Sequence, residues 1–130
     1  MNPLRTIVTN DLATAQDRLR DALKEQGFGV LTEIDLQATF AAKLGADHEG
    51  HKILGVCNPN LAKTVLDADR DMALLLPCTA TLRSVEGGTE VSILDPEEAF
   101  QLASDDVKNA LADVAADAKT RLAAVVDALR

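Results

Sequence analysis

Apolar residues recur every three or four positions in some segments of the chain and every second position in others, and the change of period lays out its elements. Residues 4–9 are short and rich in β-branched side chains, as a strand is. Asn10 or Asp11 then caps a helix carrying Leu12, Ala15, Leu19, Ala22 and Leu23, and Gly27 ends it. Phe28, Val30, Thr32 and Ile34 alternate with smaller or polar neighbours, which predicts a half-buried strand. A short helix follows from Asp35, with Leu36, Phe40 and Leu44 one turn apart and Gly45 as its stop.

Residues 51–57 form a compact apolar run, and Asn58-Pro59 is a helix start, because Asn caps and Pro at the first helical position loses no hydrogen bond. Leu61, Val65 and Leu66 supply that helix's inner stripe. Residues 73–85 are the longest strand-like run; after Pro77, Cys78, Ala80 and Leu82 oppose Thr79, Thr81 and Arg83. Gly87-Gly88 marks a turn, and Val91 and Ile93 continue the alternation, so residues 73–95 read as an antiparallel hairpin. Asp95-Pro96 opens a helical turn through Phe100. Ser104 then caps a last helix bearing Val107, Leu111, Val114, Ala118, Leu122, Val125 and Leu129. At 1.5 Å per residue that helix is a rod of roughly 38 Å, long enough to lie across a sheet face. The prediction is a single α+β domain over residues 1–130: a two-layer sandwich in which a mainly antiparallel sheet is backed by helices, including a long C-terminal one.

Composition narrows the partners. The chain is 47% hydrophobic and 26% charged, which is the profile of a folded domain. Phe28, Phe40 and Phe100 are the only aromatic residues, so aliphatic side chains must fill the core, and the stacking platform of single-strand binders is missing. Thirteen Lys and Arg against 21 Asp and Glu give a net charge of −8, which repels phosphate backbones; neither nucleic acid nor an anionic membrane is an expected partner. No run has the length of a signal peptide core or a membrane span, which predicts a soluble, cytoplasmic chain. Two cysteines are too few for a disulfide scaffold and read as reduced thiols.

The chemistry-bearing corner is Gly55-Val56-Cys57-Asn58-Pro59. A thiol just before a helix start meets free amides and the helix dipole, which favour anions and lower a thiol pKa. Cys78, after Pro77 in the neighbouring run, is the second thiol. Both also suit a purely structural role, since free cysteine is commonly buried and Cys78 shares its face with Ala80 and Leu82. His48 and His51 with the two cysteines would make four zinc ligands, but the spacing matches no zinc motif and solvated loop histidines are the expectation; no metal is expected. Glu33 and Asp35 read either as paired carboxylates or as a solvated charge beside a helix cap. Phosphate loops, dinucleotide glycine patterns and nucleophile elbows are absent, and no cofactor is expected.

Three stretches carry a resemblance: Gly27-Phe28-Gly29-Val30-Leu31-Thr32-Glu33-Ile34-Asp35, Lys52-Ile53-Leu54-Gly55-Val56-Cys57-Asn58-Pro59, and Leu74-Leu75-Leu76-Pro77-Cys78. In order and spacing the chain resembles the bacterial and archaeal domain-of-unknown-function family 302. The resemblance implies an α+β sandwich of the TATA-binding-protein-like type, frequently homodimeric, and implies no activity. The expectation is a homodimer and a non-catalytic module that binds a small ligand or a protein, with ligand-binding residues Cys57, Asn58 and Cys78. The alternative is a thiol-dependent enzyme or redox protein using Cys57 and Cys78. No catalytic motif decides between them.

Overall fold

A computed structural model describes all 130 residues. The strands are β1 (Leu4–Val8), β2 (Gly29–Asp35), β3 (His51–Cys57), β4 (Cys78–Val85) and β5 (Gly88–Ile93). The helices are α1 (Leu12–Glu25), α2 (Leu36–Leu44), α3 (Pro59–Ala68), the short α4 (Pro96–Ala99), α5 (Asp105–Ala110) and α6 (Ala112–Leu129). Local chemistry sets their starts: the side chains of Asp11, Asp35, Asn58, Asp95 and Ser104 each accept a hydrogen bond from an amide in the first turn that follows.

The strands form one sheet in the order β1-β5-β4-β3-β2, and every pair is antiparallel. Leu54 and Val56 of β3, Ala80 and Leu82 of β4, and Val91 and Ile93 of β5 point to one face. There they bury against Leu19 and Leu23 of α1 and Leu122, Val125, Val126 and Leu129 of α6. A smaller cluster of Val65, Met72, Phe100, Leu111 and Ala115 joins α3 to the start of α6. Lys119 pins α6 to α4, its Nζ lying 3.0 Å from Asp95 Oδ2 and 3.3 Å from Glu97 Oε1. Those two carboxylates hold the Lys119 pKa above its ordinary value, the Asp95 hydrogen bond contributing most. The predicted two-layer α+β sandwich is the observed one.

Four elements differ from the sequence reading. Residues 70–75 form a 3₁₀ turn, and β4 starts only at Cys78. Asp69 caps that turn by accepting from the Asp71 amide at 2.9 Å, and Pro77 has no N–H with which to enter a ladder. The last helix is two: Leu111, at φ −104° and ψ 6°, breaks it, and its side chain fills the smaller cluster while the stripe of α6 turns onto the sheet. Strand β2 is an edge strand with a register shift between Val30 and Thr32; Phe28, just before it, is buried, but Thr32 and Ile34 are exposed. The hairpin turn falls on Glu86-Gly87, and Gly88 pairs with Val85.

Candidate functional site

Cys57 ends β3 and Cys78 opens β4, and the register sets Val56 opposite Cys78, so both thiols come to the same end of the sheet. With Phe28, Asn58, Leu61 and Phe100 they line a cleft under α3 and α6 of about 30 Å³. That is room for a water or two and not for a metabolite. Burial pushes the Cys57 thiol above its ordinary pKa; burial, and then the proximity of Cys57, does the same to Cys78. The thiolate-favouring helix start expected from sequence is mostly occupied, with only the Asn60 amide of the first turn left over. Pro59 has no N–H, the Leu61 amide donates to Asn58 Oδ1 at 3.3 Å, and the Ala62 amide donates to the Asn58 carbonyl at 2.9 Å. Asn58 also donates its Nδ2 to the Gln26 carbonyl at 3.4 Å, so its side chain ties α3 to the end of α1. No imidazole is in reach: His51 begins the strand that Cys57 ends, a separation of roughly 20 Å at 3.3 Å per residue.

The second face of the sheet carries no helix layer. Across its end runs the row Thr32, Gly55 and Thr79, continued by Leu94, whose amide donates to the Thr79 carbonyl at 3.0 Å. Pro77 lies over Gly55: a Cβ there would stand 2.7 Å from Pro77 Cγ and collide with Thr32 Oγ1, so only glycine fits. Along this row opens a groove of about 570 Å³, floored by Thr32, Ile53, Gly55 and Thr79 and walled by residues 74–77 and by Met1, Glu98, Ala99 and Leu102. Its rim exposes Leu74 (87%) and Leu102 (79%), among the largest exposed apolar side chains of the chain. Glu98, the one charged side chain of the lining, accepts from the Asn2 amide at 3.0 Å and from Asn2 Nδ2 at 3.1 Å. Sequence reasoning missed this groove. Its signal was Leu74-Leu75-Leu76, but that run reads as strand until the turn of residues 70–75 is known.

The far end of the same face is charged. Arg83 reaches Glu90 at 3.2 Å, Arg5 donates to Ser92 Oγ at 2.9 Å, and His51 pairs in register with Arg83. Glu33 and Asp35 are not a carboxylate pair. Asp35 caps α2 through the Ala38 amide at 3.0 Å, while Glu33 pairs with Lys52 at 2.7 Å and Arg20 at 3.2 Å. The Lys52 hydrogen bond holds the Glu33 carboxyl below its ordinary range.

Residues 4–129 match the family described as "Domain of unknown function DUF302". Among solved structures the chain is similar to an uncharacterized conserved protein DUF302 from Bacillus stearothermophilus, at 31% identity and a TM-score of 0.87, over 97% of this chain and 96% of that one. No functionally curated protein matches it. No helix is long and apolar enough to cross a membrane.

Proposed function

The chain belongs to the DUF302 family, and from that premise we propose that it is a non-catalytic binding module whose groove on the open sheet face holds a small, mostly apolar, uncharged molecule. The observation that carries this reading is the groove itself: about 570 Å³, with two threonine hydroxyls on its floor and leucines on its rim. Ligand sites run to roughly 300–1,000 Å³ and combine an apolar lining with a few polar groups. The only carboxylate of the lining is occupied by Asn2, which leaves the hydroxyls to meet a hydroxyl or carbonyl on the ligand. Cys57, Asn58 and Cys78 stand behind this groove in the small cleft, and Leu76 forms part of both walls.

The thiol-enzyme reading is favoured by one observation, the two thiols sharing a cleft, and is opposed by three: neutral thiols, a mostly occupied helix start and no base in the cleft lining. A second copy of the chain is the other occupant that the exposed Leu74 and Leu102 would suit, and it corresponds to the homodimer expected from the family resemblance.

One set of samples tests the reading. Nile red, a neutral polarity-sensitive dye, should bind the wild-type protein saturably. The double variant Leu74→Glu/Leu102→Glu, altered only at exposed positions, should bind it at least about tenfold more weakly, a change of ~1.4 kcal/mol. Equal binding by both proteins contradicts the assignment. Sedimentation velocity on the same samples separates the occupants: a wild-type dimer that the double variant dissolves gives the face to a second copy.

A further inference from the structure

His48 lies in the loop between α2 and β3, and His51 is the first residue of β3, at the opposite end of the open face from the groove. His48 Nε2 and His51 Nδ1 are 3.1 Å apart, with the rings inclined by only 11°. Two neutral imidazoles at that separation hold one proton between them, one nitrogen donating and the other accepting. The same separation is close to an edge of a metal's coordination shell: nitrogens about 2.0–2.1 Å from a tetrahedral zinc stand roughly 3.3 Å from each other. A metal ion can therefore replace that proton once each ring turns by roughly 35°, so that its lone pair aims at the ion instead of at the other nitrogen.

A third ligand is at hand. The carboxylate of Glu49 has an oxygen within 4.8 Å of one nitrogen of each imidazole. Its Oε2 lies 3.6 Å from His48 Nδ1, the other nitrogen of that ring from the one facing His51, so the ring must turn for one His48 nitrogen to share an ion with both neighbours. Arg83 competes weakly, its Nη1 being 3.8 Å from Glu49 Oε1 while its Nη2 donates to Glu90 at 3.2 Å. The frame around the cluster is built. Gln37 donates to the His48 carbonyl at 3.0 Å, Phe40 meets the His48 ring edge-on at 5.0 Å, and the Gly50 carbonyl accepts from the Ser84 amide at 2.8 Å. Strand pairing with Arg83 fixes the backbone of His51. A site whose ligands are oriented before the metal arrives loses less on binding than a mobile loop would.

We propose that His48, His51 and Glu49 bind one divalent transition-metal ion of the zinc class, with water completing its coordination. Two imidazoles and a carboxylate suit such an ion and are a poor set for magnesium or calcium, which take oxygen ligands. This departs from the solvated loop histidines expected from spacing, because spacing does not reveal that the loop folds one ring against the other. The site stands apart from the groove, and its occupancy does not depend on the ligand proposed there.

The test is a zinc titration of chelator-treated protein in competition with a chromogenic chelator. The account predicts one ion per chain with a dissociation constant in the micromolar range or tighter. His48→Ala and His51→Gln should each weaken it at least about tenfold, with Glu49→Gln also losing affinity. A Cys57→Ser/Cys78→Ser variant should bind as the wild type does. All variants are compared at equal helicity by circular dichroism, so that unfolding is not mistaken for ligand loss. Absence of stoichiometric binding, or binding that survives both histidine variants, overturns the proposal. So does binding that the cysteine variant abolishes.

Discussion

At the residue scale, two thiols lie where a reactive pair is expected, and their surroundings hold them neutral. Burial is the first cause for each, and for Cys78 the neighbouring Cys57 adds to it. Because the thiolate is the nucleophile, alkylation of the folded protein at neutral pH should be much slower than that of the denatured chain, and its midpoint should lie above the ordinary 9.0. The sign for stability follows. A folded pKa raised above the unfolded one means that the stability contributed by the neutral thiols is complete below the unfolded value. It is lost as pH rises through the folded values. Iodoacetamide rates across neutral to alkaline pH, with and without denaturant, check this; native rates equal to denatured ones at neutral pH would return Cys57 to the list of nucleophiles.

At the element scale, α6 does the most to close the core. Leu122, Val125, Val126 and Leu129 all enter the cluster against the sheet. Emptying even one such leucine position costs about 2–5 kcal/mol, and a domain's whole stability is about 5–15 kcal/mol. Truncation after Asp106 should therefore give unfolded protein by circular dichroism; a truncated chain that stays folded would mean that α6 serves an interface instead.

The elements were legible in the sequence where one physical signal dominated: the caps Asp11, Asp35, Asn58 and Ser104, the period of α1, and the alternation of Cys78, Ala80 and Leu82. They were not legible where tertiary packing overrode a local pattern. Leu111 breaks a continuous apolar stripe because the smaller cluster needs its side chain. Leu74 to Leu76 look like strand because nothing local distinguishes an apolar run that walls a groove from one that fills a core. Val30 packs on the core, but the register shift after it turns Thr32 and Ile34 onto the open face, and the alternation in sequence does not reveal that shift. The thiol corner was located by its motif, and the occupation of its amides by Asn58 is local, whereas its cramped volume depends on α3 and α6 packing together from distant parts of the chain.

At the scale of the whole molecule, one sheet separates two kinds of surface. The helix-covered face is a dry aliphatic core with the thiols at its end. The open face runs from the apolar groove, through Thr81 and Ser92, to the Arg83, Glu90 and Glu49 lattice beside the histidines. The arginines of that face, Arg5 and Arg83, both lie beside Glu90, and the groove's lining holds no Lys or Arg side chain to attract phosphate, which favours an uncharged ligand there. The most direct measurement is an amide chemical-shift titration of the isotope-labelled protein with n-decanol, a slender apolar molecule with one hydroxyl. The account predicts saturable shifts centred on Thr32, Ile53, Gly55, Thr79 and residues 74–77 and 98–102. Shifts confined to residues 57–62, or none at all, would contradict it.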